Sequence, residues 1–179
     1  MEKIDKNPSG KQSIYWARVT SEAEPIKLPM SVTIDSNVSP KIPPCFHLTG
    51  KGTKHKKTGK IILEKRTDGK LYANNVEVIR YYSPKQKVGE YIQGHDLRKE
   101  LNDRRILNAS ILDALYMNPH LIPDDWKIGY SYFWGTIFRG VYGILYVECL
   151  CWSGFKWSWN YRQLNESWSG VNSAAMLAD

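Results

Sequence analysis

The sequence predicts an α+β fold: antiparallel β-meanders at about residues 61–82 and 130–162, with two helices between them at about 94–101 and 107–118. Three observations carry this reading. Residues 155–162, FKWSWNYR, place a ring at every second position (Phe155, Trp157, Trp159, Tyr161), the period of a strand. Residues 61–82 hold two turn signals, Asp68-Gly69 and Asn74-Asn75, between runs of β-branched and aromatic side chains. Leu107, Ile111, Leu112 and Leu115 recur at helical spacing and form one apolar stripe.

Residues 1–60 read as an irregular Pro/Lys-rich arm, punctuated by Pro8, Pro25, Pro29, Pro40, Pro43 and Pro44. Two short strands are expected in it, at 13–20 and 30–35, where β-branched and aromatic residues concentrate. The arm ends in TGKGTKHKKTGK, residues 49–60, whose glycines and lysines predict a mobile, solvated loop. Residues 61–179 then form the α+β domain. The first meander ends at Ser83-Pro84. GHDLRKEL makes a short helix, and Asn108 is placed to cap the second, which Pro119 stops. In the last meander, YSYFWGTIFR reads as one strand and GVYG as a turn, followed by ILYVECLCW. A two-residue Ser153-Gly154 turn would set Trp152 against Phe155, Leu150 against Trp157 and Glu148 against Trp159. Ile137 and Phe133 would join that ladder face, with Gly135 beside Glu148. Leu112, Leu115, Phe133, Leu150 and Trp157 are then the expected core layer.

Six of the seven tryptophans lie at or after Trp126, so the aromatic content is concentrated at one end of the chain. The formal net charge of +7 favours acidic or phosphate-bearing partners and excludes an acidic mimic of DNA. No stretch approaches the roughly 18 apolar residues of a membrane span. The opening MEKIDKNPSGKQ has no apolar run of a leader, so a cytoplasmic protein is expected, with no membrane partner. Cys45, Cys149 and Cys151 are an odd set with no zinc-knuckle spacing, and buried free thiols account for them better than a metal site. No cofactor and no metal are called for, and the oligomeric state is left open.

The segments GHDLRKEL, LNASILDALYMNPHLIP and the tail YFWGTIFR…LYVECLCWSGFKWSWNYRQL…NSAAMLAD resemble a family of small uncharacterised bacterial and phage proteins, over roughly residues 60–179. The resemblance implies one unit from the first meander to the C-terminus and a phage or mobile-element setting. It implies no activity, so no functional residue is carried over.

Function is read from cations and rings. Lys51, Lys54, Lys56, Lys57, Lys60 and Arg66 form a basic stretch, and Trp159 and Tyr161, followed by Arg162, are the outer rings of the ladder. Lys and Arg neutralise phosphates, while each base stacked on an exposed ring contributes roughly 1–3 kcal/mol. Together they predict a non-catalytic binding module for a polyanion, single-stranded nucleic acid first. A solvated loop and a packed core explain the same residues without a ligand. Two alternatives use the same surface: an inhibitor from a mobile element that binds a host protein, because interfaces favour Trp, Tyr and Arg, and a carbohydrate-binding module using Asn160 or Glu148 for hydroxyls. An enzyme is not expected. His95-Asp96 and His120 with Asp124-Asp125 lack triad or metal spacing, and helix-terminal acids explain them. Glu148, set amid rings, is the one residue to inspect for a raised pKa.

Overall fold

The computed structural model describes residues 30–87 and 89–179. The fold is α+β, but its strands join in one large mixed sheet rather than in separate meanders. The first meander forms as expected from β4 (Lys60–Lys65), β5 (Leu71–Ala73) and β6 (Val76–Tyr81). Its turns sit where the sequence places them: Gly69, Asn74 and Asn75 all have positive φ. β1 (Ser31–Asp35) adds antiparallel to β4, matching the strand expected at 30–35. The strand expected at 13–20 lies outside the described residues.

The last meander differs from its prediction in three ways. First, YSYFWGTIFR is broken into β8 (Tyr130–Tyr132) and β9 (Thr136–Gly140), both paired with the same edge of β10 (Leu145–Trp152). Cys149 faces Tyr132 while Leu145 faces Arg139, so the intervening residues bulge out of the ladder. The bulge exists because the chain before α2 takes the hydrogen bonds there: Gly135 N donates to Leu107 O at 2.7 Å. A Cβ on Gly135 would lie 2.6 Å from that oxygen, so the approach requires glycine. Second, the bulge turns Ile137 onto the face opposite the ring ladder, where it joins the second core, and removes Gly135 from Glu148. Third, β11 (Trp157–Gln163) pairs with β10 through a four-residue turn, not a two-residue one. Ser153 N and Oγ both bind Lys156 O at 2.9 Å and close it. Trp152 therefore faces Trp157, Leu150 faces Trp159 and Glu148 faces Tyr161. A shift of two residues preserves the faces, because side chains alternate with period two.

β13 (Asn172–Leu177) unites the two halves. It pairs antiparallel with β6 and parallel with β8, so the C-terminal strand is central. β2 (Phe46–His47) and β3 (Lys54–His55) pair with the outer edge of β9. The sheet thus runs across the arm–domain boundary drawn at residue 60. A two-stranded ribbon, β7 (Ile92–Gln93) with β12 (Ser167–Trp168), stands apart.

The helices fall where predicted: α1 (Gly94–Glu100) and α2 (Ala109–Met117). Asn108 caps α2 by accepting from Ile111 N. They cover opposite faces of the sheet. On the α2 face, Ile111, Leu112 and Leu115 pack with Phe133, Leu150, Leu63 and Trp126, and Trp157 packs partly buried at the margin. On the α1 face, Leu97 and Leu101 pack with Trp134, Ile137, Val147, Trp168 and Met176. The small side chains of Ala174 and Ala175 point to opposite faces of β13 and let both layers approach it. No helix among the described residues is long and apolar enough to cross a membrane.

Candidate functional site

Strand alternation decides which of the predicted site residues meet. Lys54 pairs with Ile137 and therefore shares the α1 face. Arg162 pairs with Val147 and shares it too. Tyr161 pairs with Glu148 and lies, with Trp159, on the α2 face. Lys54 and Arg162 are consequently on the opposite side of the sheet from the outer rings Trp159 and Tyr161.

On the α1 face the lysine segment is pinned rather than loose. Lys56 N donates to Gly135 O at 2.6 Å, and Lys56 Nζ donates to Arg104 O at 3.0 Å. His55 bonds through its ring nitrogens to Thr136 Oγ1 and Ser36 O, and Asn108 Nδ2 donates to both Ser36 O and Lys56 O. The sequence cannot show this, because the partners come from distant elements. Pinning brings cations together. Arg139 Nη1 donates to Lys51 O at 2.8 Å, and Gly50 packs on the Arg139 side chain. The Lys54 ammonium is held below the usual lysine range, first by burial and then by the nearby Lys56 and Arg98 charges. Lys51, Lys54, Arg98 and Arg139 have no carboxylate partner among the described residues. Tyr142, one residue from the Gly143 that abuts Arg139, is 95% exposed and has φ 67°, a costly backbone for a tyrosine. Nothing in a GVYG turn marks that tyrosine beforehand as an exposed ring.

The other predicted cations are placed elsewhere. Lys57 and Lys60 are exposed, and Lys60 lies opposite Asp35. Arg66 is at the far meander, bound to Asn75 and Glu64 and stacked on Tyr72. Arg162 bonds Ser167 O and Glu166.

On the α2 face, Trp159 and Tyr161 line a cleft of about 590 Å³. One wall is the strap Lys41–Pro44, another is α2 with Asp113, Tyr116 and Met117, and Glu148 forms the floor. The strap is tied down: Lys41 N donates to Asp113 Oδ2 at 2.8 Å, and Ser110 Oγ donates to Val38 O at 2.7 Å. At its end, Phe46 stacks on Tyr161 and Tyr146, with ring centroids 4.5 and 4.8 Å away, and so orients Tyr161. Glu148 is 2% exposed. Its Oε1 accepts from the Tyr161 hydroxyl at 3.1 Å, and its Oε2 has no hydrogen-bond partner among the described residues. Burial, and then the Asp113 charge, push its carboxyl up to about 8, so it is largely protonated at neutral pH. Burial raises Asp113 as well, against the bond from Lys41 N. Sharing the cleft, Tyr116 and Met117 also line a second hollow with Trp152, Phe155 and Trp157. Asn160 lies on the opposite face from Trp159 and Glu148, so it cannot serve the same sugar as they do.

The carboxylates of the sequence's acid–base clusters are engaged in ion pairs. Asp124 pairs with Lys127 at 2.6 Å, Asp96 with Lys99 at 2.8 Å and Asp125 with Arg80 at 3.8 Å. Compared with family models, curated proteins and solved structures, the chain finds no match.

Proposed function

We propose that the protein is a non-catalytic binding module for a phosphate-bearing polymer, single-stranded nucleic acid, engaged through the α1 face. The observation that carries the reading is that Arg139 bonds the Lys51 carbonyl and the Arg98 charge acts on Lys54, so that cations from three separate segments come together in pairs without carboxylate counterions among the described residues. Mutual repulsion among these cations is relieved when phosphates bind between them. Tyr142 supplies an exposed ring at the rim on which a base stacks. Trp159 and Tyr161, on the other face, take no part.

Salt-dependent binding of a fluorescent oligothymidylate tests the reading. Four phosphate contacts correspond to a log–log salt slope of about −3 on a single strand. Replacing the four cations with Gln should abolish most of that slope. Tyr142→Ala should weaken binding by roughly 1–3 kcal/mol and leave the slope unchanged. A parent protein without salt-dependent binding would sink the proposal.

A protein partner is the second reading. It is favoured by the apolar side chains along the two hollows between α2 and β11, where Met117 and Phe155 are each 76% exposed. Arginine or aspartate at Met117 and Phe155 would block such a partner without touching oligonucleotide binding.

A further inference from the structure

The cleft over Glu148 has no role in the polyanion reading, and its chemistry is of the opposite kind. A buried carboxyl oxygen without a partner is costly to maintain and is rare in a folded protein. Here two carboxyl groups, Glu148 at the floor and Asp113 in the α2 wall, line one open cleft in a chain of net charge +7. Each has an acceptor oxygen left over. Glu148 Oε2 has no partner among the described residues, and Asp113 binds Lys41 N through Oδ2. The walls are flat or apolar: the Trp159 and Tyr161 rings, Ile42, Pro43 and Pro44. Aromatic faces attract cations, and acid oxygens at the end of an apolar slot accept from a cationic head. We propose that this cleft binds a small organic cation with a flat apolar body, of the amidinium or guanidinium class. A planar head of that class carries several N–H donors in a fixed fork, which the two carboxyl groups lining the cleft can accept. The slot, walled by the strap and α2, suits a ligand the size of one ring better than a polymer.

Proton linkage follows from the surroundings. The titratable groups that share the cleft with Glu148 are Asp113 and Tyr116 from α2, Tyr161 from β11 and Lys41 from the strap, while Cys45, at the strap's end, acts on Tyr161. Of the charges, Asp113 raises Glu148, and the Lys41 ammonium acts on Asp113. A bound cation favours the ionised form of Glu148, so one proton leaves to solvent as the cation enters. Affinity should therefore rise between pH 6 and pH 8.5.

Calorimetric titration of the full chain with benzamidine tests the proposal, with benzamide as the neutral isostere and benzoate as the anionic one. Benzamidine should bind about tenfold or more tighter than either, as a charge-assisted bond to a buried acid requires. Its affinity should rise with pH, and the heat should scale with buffer ionisation enthalpy, which registers the released proton. Glu148→Gln and Asp113→Asn should each reduce benzamidine affinity about tenfold, and Trp159→Ala should weaken benzamidine and benzamide alike. Equal binding of benzamide and benzamidine, unchanged binding in Glu148→Gln, or no binding at millimolar benzamidine would each overturn it. Oligothymidylate binding, measured in the same variants, should be unaffected. Loss of the cation site and loss of the polyanion reading are thereby separate results.

Discussion

Glu148→Gln should make the protein more stable at alkaline pH and leave it nearly unchanged in acid. The reason is linkage. Below about pH 4.5 the carboxyl is protonated in both the folded and the unfolded chain, so its burial imposes no ionisation penalty. As pH rises past 4.5 the unfolded chain loses that proton and gains hydration, whereas the native carboxyl keeps it until about 8. Over this interval the native state binds more protons, so the contribution to stability falls with rising pH and levels off above about 8. The full separation corresponds to at most about 5 kcal/mol, at 1.36 kcal/mol for each pH unit. Gln has the same shape, can accept the Tyr161 hydroxyl and never ionises. Its effect at pH 5 should stay within about 1 kcal/mol, the worth of one hydrogen bond. Denaturant unfolding of both proteins from pH 5 to 8.5 gives the difference directly. Titrations of the two proteins that run parallel across that range would refute the reasoning, because Glu148 would then ionise normally in the fold. Asp113→Asn supplies the internal control: it removes the second cause of the shift, so Glu148 should titrate with a lower midpoint in that variant than in the parent.

Leu112→Ala, at a fully buried position, should cost about 2–5 kcal/mol, and Trp157→Ala less than the roughly 3–5 kcal/mol of a buried ring, because Trp157 packs only at the margin of its cluster; thermal melts rank the two. Asn108→Ala removes the α2 cap, strands the Lys56 carbonyl and leaves Ser36 O with the His55 ring alone, with an expected loss of about 2–4 kcal/mol and faster hydrogen exchange in residues 54–59, and full protection there would contradict the pinning. Gly135→Ala should destabilise more than Gly69→Ala, even though Gly69 is the one of the two with a left-handed φ (79°), since a Cβ at 135 meets the Leu107 carbonyl; equal melting points would disprove that close approach. Arg162→Gln and Arg66→Gln should leave oligothymidylate binding and its salt slope unchanged, as each is held by its own local partners.

Local signals settled the elements of this protein. Asn74-Asn75 and Asp68-Gly69 define their turns through backbone conformations that few residues tolerate, and Asn108 with the leucine stripe defines α2, because capping and periodicity act within a few residues of chain. The same holds for the face assignment of the ring ladder, which survived a register error of two residues since alternation has period two. The raised Glu148 carboxyl was legible in outline from a strand that sets an acid among rings. What only the tertiary structure decided depends on contacts between distant segments. NSAAML gives a weak strand signal, yet it occupies the middle of the sheet because its alanines admit a core on each side. The bulge at 133–135 comes from a hydrogen bond to Leu107, and the order of the lysine segment from Asn108 and Gly135. Asp113 reaches the cleft of Glu148 only when α2 packs across β10 and β11. Charge and aromatic content are properties of the chain, but which cations face which rings is set by the side of the sheet on which each one emerges.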